Sequence, residues 1–229
     1  MPWVTTLASS PSIVMVGAGG HARVLQDVLS GLGFELAGFT APHPDDSQLA
    51  DSLTTGAPIP WIGDDEALRS RDPRDIVLVN GVGSARAAAL RDSVYSDFVT
   101  AGFSFLTVES LEAHVSPSAT VLAGTQVLRG AVVNTDAFID ENCIINSGAI
   151  VEHHNRIGRS VHVAVGATLS GNVTVGAGTH IGANATVIQG ITIGANCTIA
   201  AGAVVISDVP DNSTAVGVPA QFRPSKGSR

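Results

Sequence analysis

The stretch "INSGAIVEHHNRIGRSVHVAVGATLSGNVTVG", Ile145 to Gly176, places an aliphatic residue at every sixth position: Ile145, Val151, Ile157, Val163, Leu169 and Val175. Followed outward in both directions, the same step runs from Val115 to Val205 without a slip. It makes sixteen hexads, and fifteen of the sixteen positions are Val or Ile. Four residues after each position there is usually a small or β-branched side chain, such as Ala131, Ala149, Ala185 or Cys197. Glycine often follows directly, as at Gly158, Gly176, Gly182 and Gly194. A six-residue period matches neither the 3.6-residue turn of an α-helix nor a simple hairpin. It predicts a parallel β-helix of short strands and tight corners, each rung stacking its aliphatic side chains on the next.

Upstream of the hexads the pattern changes. "SIVMVGAGGHARVLQDVLSGLGFELAGF", Ser12 to Phe39, reads as a buried strand over Ile13–Val16, a glycine turn, a helix from about His21 to Leu29, and a second strand over Leu36–Phe39. Glycines at a helix N-terminus leave free N–H groups and the positive end of the helix dipole, a setting that favours phosphate. "DIVLVNGVGS" supplies another strand, Ile76 to Asn80, which ends in a second glycine loop. A helix over about Ala85 to Ala101 and a strand over Phe103 to Val108 follow, and "HVSPSATV" leads into the hexads. Gly17, Gly19 and Ala22 satisfy the dinucleotide fingerprint. A dinucleotide fold needs two mononucleotide halves, however, and only about a hundred residues precede the repeat. The second strand also ends in "FTAP", with no acidic residue for a ribose. A site for one nucleotide diphosphate is the better expectation.

Composition narrows the partners. The formal net charge is −8 and the single lysine is Lys226, so there is no basic stripe to track a phosphate backbone, and nucleic acid is excluded as an expected partner. No apolar run approaches the roughly 20 residues that span a bilayer, and the first residues lack the charged start and cleavage site of a signal peptide. A cytoplasmic protein with no membrane partner is expected.

The order of these parts resembles the hexapeptide-repeat nucleotide-sugar acetyltransferases, the group of bacterial amino-sugar N-acetyltransferases and sialic acid O-acetyltransferases. The resemblance rests on "VGAGGHARV", "NGVGS", "INSGAIVEHHNRIGRSVHVAVGATLSGNVTVG" and "AVGVPA". It implies a small Rossmann-like parallel α/β sheet over residues 1–110, which binds the nucleotide sugar. A left-handed parallel β-helix over residues 111–229, ending in a C-terminal tail, then carries the acetyltransferase chemistry. In such a helix three hexads close one coil of 18 residues, so sixteen hexads make a little over five coils. Residues eighteen apart become vertical neighbours: His153 below Gly171, with Thr135 beneath and Gln189 above, and His162 below His180. Cys143 and Cys197 fall about 14 Å apart at roughly 4.8 Å per coil. That is beyond the reach of a disulfide, and two buried thiols are expected.

The resemblance also implies roles. His153 matches the general base that deprotonates a sugar amine or hydroxyl as it attacks the acetyl-CoA thioester, and the N–H of Gly171 matches the donor to the thioester oxygen. Asn146 matches a polar position near the base. His162 matches a residue that contacts acetyl-CoA, and Ala183 and Ala201 match backbone positions lining the same groove. Gly17, Gly19, Gly20 and His21 match the loop that receives the nucleotide sugar, with Asn80, Gly81 and Gly83 opposite. Relatives form homotrimers with acetyl-CoA between neighbouring prisms, and surface polysaccharide or glycan synthesis is the expected setting. No metal is implied.

This chain departs from the family at two places. His154 stands where a carboxylate commonly follows the base, and Ala41 and Pro42 stand where acidic residues bind the nucleotide. Asn134, Asp136, Asp140 and Glu141 read as polar outward faces. Transfer to a sugar hydroxyl, of the sialic acid type, is the alternative within the class. Outside it stand a zinc enzyme of the gamma-type carbonic anhydrase kind and a non-catalytic nucleotide-binding scaffold. Zinc is disfavoured because histidines five residues apart are needed, whereas the spacings from His153 are one, nine and twenty-seven.

Overall fold

The computed structural model describes residues 11–49, 51–53, 55–83 and 88–224. Its N-terminal part is a four-stranded parallel sheet in the order β2 (Leu36–Thr40), β1 (Ser12–Val16), β3 (Ile76–Asn80), β4 (Ser104–Phe105). Period-two alternation divides its residues between two layers. Met15 and Val79 pack with α1 (Gly20–Gly31), whereas Val14, Val16 and Leu78 pack with Val94, Tyr95 and Phe98 of the helix Ala88–Thr100. The expected helix from Ala85 begins partly outside the described residues.

One expected strand is wrong in a way that locates the junction. Phe103–Val108 is not a single element: β4 closes the α/β sheet, and β5 (Val108–Glu109) is already the first rung of the solenoid, paired with Gln126 and Val127. Leu106 and Thr107 turn the chain from one sheet to the other.

From β5 onward, two-residue strands recur every six residues as far as Val204–Val205, and every pairing between them links residue i to residue i+18. Three flat faces result. In every pair after the first the second residue points inward, so that Val127, Ile145, Val163, Ile181 and Ile199 form one column of a continuous apolar core. The first residue points outward. Corners are made by a residue in the left-handed region at every sixth position from Gly124 to Gly202, with φ between 54° and 75°. Glycine fills seven of these corners, Asn fills 142, 172, 184 and 196, and Asp136, His154 and Ser160 fill the rest. Glycine and asparagine adopt this conformation at least cost, which explains the composition.

The ladder is longer than the sixteen hexads. It gains β5 at one end. At the other, Val209 pairs with Ile193 and Ala215 with Ile199, a step of sixteen that drops two residues from the last coil. About six coils result, not a little over five. A hairpin of Ser213–Gly217 and Ala220–Pro224 closes the end.

The two parts share a seam. Val108, Leu128 and Ile144 on the outside of the first face join the α1 core, and a polar network continues the contact. Arg91, fully buried, donates to the carbonyls of Asn80, Val82 and Asn142, while Asn142 donates to Ser160 and Ser160 to Asp92. Burial pulls the Arg91 guanidinium down to about 9. Both cysteines are free and buried, and desolvation pushes the Cys143 thiol up to about 12.

Candidate functional site

The corner after the second face carries the column Asp136, His154, Asn172 at its left-handed position, with Thr135, His153 and Gly171 one residue earlier. The amide of His154 donates to Thr135 O at 3.0 Å and that of Asn172 to His153 O at 2.9 Å, so the eighteen-residue step places His153 directly below Gly171. The imidazole lies across the bare α-carbon: a Cβ built on Gly171 would stand 2.5 Å from both Cε1 and Nε2 of His153. The Gly171 N–H donates to no group among the described residues, although its neighbours Ser170 and Asn172 are both bonded to other coils. An exposed imidazole and the N–H of a buried glycine therefore meet at one corner. Behind them is the one break in the small-residue pattern, Asn155. Its amide is buried, donates to Leu169 O and accepts from the Val173 N–H at 2.5 Å, clamping the two coils in register.

The ring of His153 is not bonded to Asn146. It makes a 3.0 Å Nδ1 to Nδ1 hydrogen bond with His154, whose Nε2 lies 3.7 Å from Asp136 Oδ2. Glu152 is occupied elsewhere, accepting from the Asn134 amide and from the backbone N–H of His153. Asn146 sits against His162 instead, donating from Nδ2 to His162 Nε2 at 3.0 Å. Asn146, expected near the base, thus lies beside His162 and not beside His153 within the chain. Stepping eighteen back from His154 would have singled out Asp136; reading it as a generic outward polar residue missed this.

His162, Asn146, Ala183 and Ala201 form a second constellation. His162 is on the first face, 7% exposed, with its ring 4.9 Å from that of His180. Burial, with His180, His21 and Arg91 nearby, lowers it to about 3, so it is neutral and accepts from Asn146. Ala183 and Ala201 stack at the corner after that face, joined by Gly202 N–H to Ala183 O at 2.8 Å, and the N–H groups of both alanines are unpaired among the described residues. This corner and the His153 corner are different edges of the prism.

At the carboxyl ends of β1 and β3 the two glycine loops meet. Gly17 has φ +86° and packs against Val82; a Cβ on Gly81 would lie 2.8 Å from Ala22 Cβ, Gly17 O and Met15 Sδ, so only glycine fits. Gly19 caps α1, and Gly20 begins it beside Gln48. Gly83 faces His21. The side chains are less free than the motif implies. Asn80 is 1% exposed and bonded to Arg91, Asn142 and Val82. The His21 Nε2–H donates to Gln126 Oε1 at 2.7 Å, and burial lowers this ring to about 4. Both residues hold the seam, and the amides of Gly17, Gly81 and Val82 are likewise engaged, by Thr40 O, Val16 O and Asn80 Oδ1. Pro42 lines a cleft with Asp64, Asp65 and Glu66, so carboxylates reach the region where positions 41 and 42 lack them. Among the described residues no three His, Cys, Asp or Glu are grouped to hold a metal ion.

Comparison with known proteins matches these parts separately. Residues 12–98 match the PglD N-terminal domain family and residues 172–207 match the bacterial transferase hexapeptide family. PerB of Caulobacter crescentus, solved with CoA and GDP-perosamine, is 33% identical over 93% of this chain and 97% of its own, with a TM-score of 0.81. The acetyltransferase domain of PglB from Neisseria gonorrhoeae is 30% identical over 93% of this chain and 99% of its own, also at 0.81. WeeI of Acinetobacter baumannii, at 16% identity and a TM-score of 0.61, shares the fold. With a PglD-type α/β domain ahead of a left-handed β-helix, this chain belongs to the hexapeptide-repeat acetyltransferases that include PerB and PglB.

Proposed function

We propose that this protein transfers an acetyl group from acetyl-CoA to the amino group of a nucleotide-linked amino sugar. The observation that carries this reading is the imidazole of His153 beside the N–H of Gly171, which is unpaired among the described residues. The amine nitrogen attacks the thioester carbon, and His153 Nε2 takes the proton as the N–C bond forms. Charge that develops on the thioester oxygen falls to the Gly171 N–H. Collapse breaks the C–S bond, and the departing thiolate leaves as the thiol with the proton His153 received. A positioned base of this kind contributes roughly 10²- to 10⁴-fold, and a lost oxyanion donor costs about 3–4 kcal/mol.

The pairing of CoA with GDP-perosamine in PerB supports an amine acceptor on a nucleotide sugar, which the two glycine loops would receive by the amides of Gly19, Gly20 and Gly83, those of Gly17, Gly81 and Val82 being bonded to Thr40 O, Val16 O and Asn80 Oδ1. His162, Ala183 and Ala201 would lie along acetyl-CoA. Because they occupy a different edge from His153, a complete site combines two subunits, as a homotrimer of prisms provides. The test is a thiol-release assay with acetyl-CoA against UDP-, GDP- and dTDP-linked amino sugars, with sialic acid as a hydroxyl acceptor. Turnover with one amino sugar is expected. Turnover with sialic acid alone would overturn the acceptor assignment, and turnover with none would overturn the reading.

A further inference from the structure

We propose that Asp136 and His154 are positioning residues for His153: the neighbouring imidazole, backed by a carboxylate from the coil below, holds the base in its working tautomer. This rests on reading His153 as the base.

The geometry of the three groups carries it. A hydrogen bond between two Nδ1 atoms requires one N–H and one lone pair. With the proton on His153 Nδ1, the lone pair of its Nε2 is free beside Gly171, where a base is needed. His154 then accepts at Nδ1 and bears its own proton on Nε2, which faces Asp136 Oδ2 at 3.7 Å. That separation is longer than a hydrogen bond, and the contact is one between a carboxylate and the N–H dipole of a neutral ring. The carboxylate favours this arrangement over the reverse one, which would aim a lone pair at a negative charge. Once His153 has taken a proton at Nε2, its Nδ1–H bond to His154 becomes charge-assisted, and Asp136 opposes the positive charge from either ring. Two edge-on rings at 87° supply the link, so the missing carboxylate at position 154 is replaced one coil away.

The fold holds the relay in place. Asp136 and His154 occupy the same left-handed corner position in successive coils, at φ 55° and 59°, and the His154 amide is bonded to Thr135 O. Glu152, the other nearby carboxylate, is bonded to Asn134 and to backbone, away from the ring.

Asparagine already fills four corners at φ 54–58°, so Asp136→Asn and His154→Asn keep the backbone and remove the electrostatic link. Steady-state acetyl transfer should show each variant losing roughly tenfold in kcat, with KM for both substrates nearly unchanged and the double variant no worse than either single one, as for groups that act as a unit. His154→Asp should restore kcat in the Asp136→Asn background by placing a carboxylate beside His153. An Asp136→Asn variant with wild-type kcat, or a loss that His154→Asp does not rescue, overturns the relay. A His153→Ala variant that is inactive beside an unaffected Asp136→Asn variant would sink only the relay; a wild-type protein without acetyl transfer would sink the function beneath it.

Discussion

At Gly171 a side chain is kept out by the His153 ring, not by the backbone. Its φ lies outside the left-handed region, so alanine is conformationally acceptable there, but the new Cβ would stand 2.5 Å from two atoms of His153. The ring is exposed and would swing away from the free N–H. Gly171→Ala should therefore leave the melting temperature within a few degrees of wild type, an overpacking cost of about 1 kcal/mol. Acetyl transfer should fall at least tenfold by the base contribution lost. Circular dichroism on heating and a thiol-release assay check the two halves. Full activity would show that His153 does not work from its position against residue 171.

The corner is the element on which the solenoid depends. Gly148 has φ +67° and open space around an added Cβ, so substitutions there isolate backbone strain from packing. Gly148→Asn should be nearly neutral, whereas Gly148→Val should destabilise by about 1–2 kcal/mol, read as a shift in denaturant midpoint without a change in slope. The hexad itself was legible in the sequence because each coil must refill the same volume with an aliphatic residue. The ends were not. Glu109 occupies the position of the repeating aliphatic in β5 and is exposed, so the first rung carries no apolar signal. The last coil drops two residues, which puts Val209 out of step. The strand expected over Phe103–Val108 failed for a related reason: a run of apolar residues does not reveal that its two ends pair with different sheets.

For the whole molecule, the seam between sheet and solenoid decides how stability responds to pH. His162 and His21 are held at about 3 and about 4, below the ordinary 6.5, both chiefly by burial. Between those values and 6.5 the unfolded chain binds more protons than the folded one. Stability is thus full above pH 6.5 and is lost as pH falls toward 4, by up to about 1.4 kcal/mol per pH unit for each ring. Denaturant unfolding at pH 7.5 and pH 5 should show this slope, and His162→Gln should reduce it. Separation of the His153 and His162 constellations onto two edges also predicts assembly: light scattering should give about three times the 23.3 kDa chain mass, and an active monomer would contradict a shared site. Glycine spacing pointed to a ligand loop but could not show that Asn80 and His21 are engaged by Asn142 and Gln126, residues 62 and 105 positions away. Contacts of that range are set by how the two parts dock, which no local pattern records.

The proposed chemistry comes down to one imidazole. Acetyl transfer by His153→Ala should fall by about 10²-fold or more, with acetyl-CoA affinity by calorimetry and the unfolding midpoint both unchanged. A variant that keeps wild-type kcat, or that loses activity only because acetyl-CoA no longer binds, would contradict the assignment of His153 as the base.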